Sequence, residues 1–590
     1  MTLYVWPQDR MKPLDSRGDP HATMVVRTFL SLAEELIIMI LCHLDTKDID
    51  SCSRVCKRLR EVTKRSSLLK HLVRLRAARV DDLSLPYTSL PERWAKLRSR
   101  EEAWTSTKWY SKQTLQLGSP FGAYEMEGGV FACSPEGSSC LQFTVLSTVG
   151  SPAPQSWQHD LDGMELADFT FDCDQDLLCM VERSTQRESP FLIHLRSLSE
   201  NKPHPLAAEC ILRCPSLFQH HWQGEMLGYY VLFTIQIYDD LVGCLYQLLP
   251  LGGSDVMTVW NWRTGQELWT IDSGDDRYMD FTFLSRPAVM LCSVVTPSFK
   301  IVTWEPENPS QVTTITLGLP LVGDDSEVGR LQCHSNPAPN RRRRSLTSNP
   351  YKSSISFVPS SEDRILAFSC TVLLPLINDT DSDLFYMLFI SASELEKSIS
   401  KWLTSARAES VGHETQGDRL LEVSRCWESW GPEITRWIPD ARPFGWAVCS
   451  RGLRFACSDP YDEGDARRIM TIDFNPHNFP EGVADEPQDG VTMYDTRDRL
   501  ISRLSGLDAF AEPVISSLPC VIRTSIERVH DSMGVMMNDD YIVAMQVGTS
   551  SNISKLEILN MVEAVQGEGS TAYDRSAECE GSDSESSYKK

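Results

Sequence analysis

The sequence predicts a multidomain chain of α followed by all-β structure: amino-terminal helices, then a large antiparallel β domain. Three observations carry this. Apolar residues recur at helical spacing up to about residue 112, and in short alternating runs after it. The runs are separated by acidic or glycine-containing turns with no helical pattern between them, which favours antiparallel over crossover-connected sheets. Residues 113–562 hold too many such strands for one sandwich, and a degenerate β-propeller of six to eight blades accommodates them while leaving only short edges.

Taken in order, residues 1–24 mix charges with three prolines and are expected to be disordered. Within residues 25–75, Ser31 and Glu34 have the spacing of a capping box that starts a helix near Leu32. Leu36, Ile40, Leu41 and Leu44 form its apolar stripe. Thr46 is placed to cap a second helix striped by Ile49, Cys52, Cys56 and Leu59, and Ser67 to start a third with Leu68, Leu72 and Leu75. Ile37, Ile38 and Met39 lie beside the first stripe, so that helix is apolar around most of its circumference and calls for a partner. Periodicity alone fits equally a small helical subdomain packed on its own chain. Residues 76–112 read as a helical linker, where Ser89-Leu90-Pro91-Glu92 repeats the capping-box logic and Trp94, Leu97 and Trp104 share one face.

In the β domain, Asp168 to Glu182 describes two strands around an Asp172–Asp176 turn, and Phe191 to Ser199 adds a third. The run from Asp255 to Gln266 is a strand ending at a Thr-Gly turn, and Tyr278 to Glu305 holds three strands. Residues 355–368 are expected to pair one strand, around Phe357, with the next, around Ile365; residues 445–457 and 533–546 repeat the pattern. A flexible insertion near 332–354 contains Arg341–Arg344 followed by Ser345 and Thr347, a solvated loop or an import or phosphorylation signal. Residues 563–590 form a Ser-, Glu- and Gly-rich tail with too little apolar surface to fold.

The order of residues in the first helices resembles an F-box. Leu32, Ala33, Glu35, Leu36, Ile40, Leu41, Leu44, Asp48, Ile49, Val55, Cys56, Lys57, Leu59 and Arg60 fall at its signature positions, with Ala33 where the family usually has proline and Leu59 where many members have tryptophan. The resemblance implies that these fourteen residues dock a Skp-type adaptor and, through it, a cullin-based ubiquitin ligase. Val-Trp-Asn-Trp-Arg-Thr-Gly at 259–265 looks like the end of a WD-type propeller blade. Trp430 to Trp437, Asp473 to Pro476 and Val514 to Pro519 look like recurring segments of F-box proteins abundant in mushroom-forming fungi, a likeness that implies an adaptor-binding protein and no particular substrate.

Composition narrows the classes further. The 590 residues are 41% hydrophobic and 23% charged, as in ordinary globular proteins. No apolar run approaches the roughly 20 residues of a membrane span, and charged residues interrupt the amino terminus before any secretory core, which together predict a cytoplasmic or nuclear protein. The 18 cysteines are scattered through apolar segments, as at Cys179, Cys244, Cys292, Cys370 and Cys449, and no C-x-x-C pair occurs, so neither disulfides nor structural zinc is expected. Asn378 and Asn552 match a glycosylation sequon that has no meaning without secretion. A net charge of -24 argues against nucleic acid, although basic residues dominate from Arg54 to Arg100.

Catalytic signatures are missing: there is no Gly-x-Ser-x-Gly elbow, phosphate loop or His-Glu-x-x-His, and His220-His221 has no visible third group. The pairs Asp239-Asp240, Asp324-Asp325 and Asp539-Asp540 read as solvated turn residues. No catalytic residue, cofactor or metal is therefore expected. The leading expectation is a non-enzymatic substrate receptor whose helices bind the adaptor and whose β domain binds an unidentified protein substrate. A scaffold that delivers nothing for ubiquitination and a nucleic-acid reader using the basic helices are the alternatives.

Overall fold

The computed structural model describes residues 29–563 except 85–87, 118–120, 137–138, 147–154, 185–189, 214–229, 250–253, 337–355, 375–382, 411–421, 442, 444–446, 463–465, 480–490, 495–508, 531 and 548–552. The expectations for residues 1–24, His220-His221, Arg341–Arg344, both sequons and the acidic tail lie outside the described residues. The chain divides into two compact units, Met1–Arg74 and Leu75–Lys590.

The first unit opens with a 3-10 turn, Phe29–Ser31, followed by α1 (Glu34–Cys42), α2 (Thr46–Val55), α3 (Lys57–Arg65) and the start of α4 (Ser67–Ala78). The expected Ser31–Glu34 capping box does not form: Ser31 sits in the 3-10 turn, and α1 starts after Ala33 without a side-chain cap. Glu34 and Glu35 in its first turn favour the start electrostatically. Asp45, rather than Thr46, caps α2 by accepting from the Asp48 amide at 2.7 Å, because its side chain precedes the first helical residue. The second predicted helix is two. Cys56 takes an extended conformation (φ -154°, ψ 165°) and its Sγ accepts from the Leu59 amide at 3.5 Å, ending α2 and starting α3. Likewise Ser66 Oγ, one residue earlier than expected, accepts from Leu69 N at 3.2 Å. Ile37, Leu41, Ile49, Leu59, Val62 and Leu69 form the core of this unit.

In the second unit α5 (Leu90–Ser106) carries the expected capping box, with Glu92 N donating to Ser89 Oγ (3.4 Å) and Ser89 N to Glu92 Oε2 (2.8 Å). Seven antiparallel sheets follow and form a seven-bladed propeller. Blades 1 to 3 use the strands within 121–160, 166–213 and 230–272, each with its first strand innermost in sequence order. Blade 4 (278–318) gains a fifth strand, Glu422–Arg425, which pairs in parallel with Asn308–Gly318 and comes from an insertion between Leu384–Ser391 and Thr435–Pro439, the third and fourth strands of blade 5 (327–439). Blade 6 begins with Ser450–Arg451. Blade 7 joins Ser532–Met537, Tyr541–Val547 and Ile553–Asn560 to Ser111–Gln116, so the first strand of the domain closes the last sheet from Ser111↔Asn560 to Gln116↔Lys555.

One pairing differs from the sequence expectation. Phe357–Pro359 pairs with Val80–Asp82, not with the strand around Ile365. Side-chain contacts explain the choice: Phe357 packs with Val80, Leu75 and Leu97 in a small core of its own, and Arg79 Nη1 reaches both oxygens of Asp363 at 3.0 and 3.2 Å. The blades themselves bury continuous strands, as in Leu241–Leu249, and the five cysteines named from the sequence are all buried.

Candidate functional site

Two surfaces stand out, one in each unit. In the helical unit α1 is apolar on both sides, and the structure decides which side is which. Ile37 and Leu41, one turn apart, point into the core, whereas Leu36 (46% exposed), Met39 (61%) and Ile40 (43%) lie outside. This reverses part of the sequence reading, which put Leu36 and Ile40 on the buried stripe and left Ile37 over. All seven residues from Leu36 to Cys42 are apolar, so periodicity carries no phase there; the packing of α1 against α3 supplies it.

Of the fourteen signature residues, Ala33, Glu35, Leu36, Ile40, Asp48, Val55, Lys57 and Arg60 are exposed, and Leu32, Leu44 and Cys56 are half-buried. Leu41, Ile49 and Leu59 are buried in the unit's own core, where they shape the surface without reaching a partner. Sequence reading did not count Phe29, Leu30 and Leu68 in the set, yet they add exposed apolar area; Val55, at 73%, is the most exposed large apolar side chain described in the unit. Basic side chains border the surface. Arg58 Nη2 donates to Leu32 O at 2.8 Å and Arg60 Nε to Ser53 O at 3.3 Å, tying the turn before α1 and the end of α2 to α3.

In the propeller, the inner strands enclose a cavity of about 650 Å³ whose wall is rich in carboxylates. Glu125 and Glu127 come from blade 1, Asp168 and Asp172 from blade 2, and Asp280 from blade 4. For blades 1 and 2 the signal in the sequence is acids two (Glu125, Glu127) or four (Asp168, Asp172) residues apart on the first strand of a unit, which alternation places on one face; Asp280 has no such companion. Burial pushes Asp280 up to about 7 although its oxygens accept from Phe281 N (2.7 Å) and Cys333 N (2.9 Å). Burial also pushes Glu127 up to about 7, opposed by Arg451, whose Nη1 lies 3.9 Å away.

Arg451 is the hinge of a charged network. It pairs with Asp539 at 3.1 Å, and Arg100 on α5 donates to Asp539 O at 3.2 Å and pairs with Glu101 at 2.7 Å. Glu101 in turn bonds Arg454, which holds Asp473 at 3.4 Å. Burial pushes Glu101 up, but Arg454 and Arg100 outweigh it and hold its carboxyl below the ordinary value. Asp539 and Asp540 are thus buried, at 1% and 3% exposure, and not the solvated turn the sequence predicted, because α5 and Arg451 cover them. Among the described residues no group of three His, Cys, Asp or Glu side chains is placed to hold a metal ion, and no helix is long and apolar enough to cross a membrane.

Comparison with known proteins bears on the first surface. Residues 30–75 match the F-box-like family. No curated protein matches the chain. Among solved structures, the crystal structure of a protein from Lactobacillus plantarum is similar over 47% of this chain and 79% of its own, at 8% identity and a TM-score of 0.26, too low to carry an argument. The chain is an amino-terminal helical F-box-like region followed by a large antiparallel β domain arranged as a seven-bladed propeller.

Proposed function

We propose that this chain is the substrate-receptor subunit of a Skp–cullin–F-box ubiquitin ligase in the cytoplasm or nucleus. The F-box-like region docks a Skp-type adaptor, and the propeller binds a protein substrate. It acts without chemistry of its own, by raising the effective concentration of bound substrate near the ubiquitin-charged enzyme. The observation that carries the reading is the outward face of α1, where Leu36, Met39 and Ile40 stay exposed although the unit has a complete core without them. Each such side chain contributes about 1.5–3 kcal/mol when buried against a partner, before the cost of association.

Co-purification with the adaptor tests this. Leu36→Asp with Ile40→Asp is expected to weaken capture roughly a thousandfold, as loss of two central anchors would, while leaving the helical unit folded. Unchanged capture by a folded double variant would refute adaptor docking through this face. Transfer of ubiquitin to a co-captured protein in a reconstituted ligase then distinguishes a receptor from a scaffold.

A further inference from the structure

Glu125 and Asp168 sit on the inner strands of blades 1 and 2, which pack side by side, and both face the cavity at intermediate exposure. Among the described residues neither has a lysine or arginine within ion-pair distance. The nearest cations of the wall are committed elsewhere: Arg451 to Asp539 and Glu127, Arg183 to Glu165 at 3.8 Å, and Arg364 to the carbonyls of Asn336, Phe283 and Leu284. The remaining titratable groups around the pair add no positive charge. They are Tyr124 and Glu127 on the strand of Glu125, Asp172 on that of Asp168 with Cys173 and Asp174 after it, Tyr238, Asp239 and Cys244 of blade 3, Asp280 of blade 4, and Cys333, Asp363 and Asp539 elsewhere on the wall.

We propose that Glu125 and Asp168 hold at least one proton between them at neutral pH, so that the charge of the channel and the stability of the propeller respond to pH. Two carboxylates facing one cavity from neighbouring strands without a counter-ion cannot both ionise cheaply, because partial burial disfavours each charge and the second is repelled by the first. Burial pushes Asp168 up to about 7 against the hydrogen bond its Oδ1 accepts from Phe169 N at 2.8 Å. Burial, followed by the charges of Glu127 and Asp168, pushes Glu125 up to about 8. Both groups bind protons more tightly in the native than in the unfolded chain. Their contribution to stability is therefore fully present below the ordinary carboxylate range and is lost as pH rises through about 7 and 8. The pair requires nothing of the adaptor-docking face.

Thermal unfolding of the full chain between about pH 5.5 and about 8.5 tests the proposal on wild type, Glu125→Gln, Glu125→Gln with Asp168→Asn, and the exposed control Glu512→Gln. The wild-type Tm is expected to fall as pH rises. The double variant makes the curve shallower and exceeds wild type by at least about 2 °C at the alkaline end, with Glu127 and Asp280 supplying the slope that remains, while the control runs parallel to wild type. Parallel curves for wild type and the double variant overturn the proposal. Should the double variant not fold, infrared spectra at pH 7 decide: the carbonyl stretch of protonated carboxyl groups is weaker in Glu125→Gln than in wild type, and an unchanged band overturns it.

Discussion

The helical unit and the propeller distribute apolar and charged groups in opposite senses. The helices put large apolar side chains outside, at Leu36, Met39, Ile40 and Val55. The propeller buries nearly all of its own and places charge inside, at Glu127, Arg451, Asp539 and Arg100. A four-helix piece this small cannot surround all its apolar residues, and surplus area outside is what a docking surface needs. A propeller has a wall on every side of its axis, so polar groups can be enclosed where bonds to neighbouring blades satisfy them.

The largest effect expected is at the enclosed charges. Arg451→Ala leaves Asp539 and Glu127 without their cation, and unfolding by denaturant should show a loss of about 3–5 kcal/mol in the propeller. A loss under about 1 kcal/mol would mean that water in the cavity already screens these groups, and the contrast between inside and outside would weaken. Next comes a pair of neighbours on α1. Ile37→Ala should destabilise the helical unit by about 2–4 kcal/mol, since Ile37 is fully buried. Leu36→Ala should change stability by less than about 0.5 kcal/mol and weaken adaptor binding at least tenfold. Equal destabilisation by the two would show that α1 is packed in another phase. The smallest effect is common to both units. Asp45→Ala in one and Ser89→Ala in the other each remove a helix cap and should cost about 1 kcal/mol, read from the amide exchange of α2 and α5 respectively.

Local signals in the sequence held at several turns and at the start of α5, but missed the caps of α1, α2 and α4. The Ser89–Glu92 box formed, Asp172 to Asp176 turned, and Gly265 takes the left-handed conformation (φ +75°) that the Thr-Gly turn between Val256–Asn261 and Gln266–Asp272 requires. Other failures came where residues of one type left the phase open, or where the partner was far away in sequence. An uninterrupted apolar run cannot tell Leu36 from Ile37. Phe357–Pro359 found a strand some 275 residues earlier, and Glu422–Arg425 crossed to the edge of blade 4, neither of which alternation foretells. Asp539 and Asp540 do lie in a turn between strands, but looked solvated because their covering cations, Arg100 and Arg451, come from distant segments. An F-box-like region was legible in the sequence, but the division of its residues into core and surface was not.

The strand that closes blade 7 also orders events in time. Gln116 leaves the ribosome some 440 residues before its partner Lys555, so at about 5–20 residues per second the first strand of the propeller waits roughly 20–90 s for its sheet. The helices of the first unit are complete from the outset of that interval and use only local contacts, which form fastest. Under the proposed function, an adaptor present during synthesis meets a finished helical unit on a nascent chain whose propeller does not yet exist.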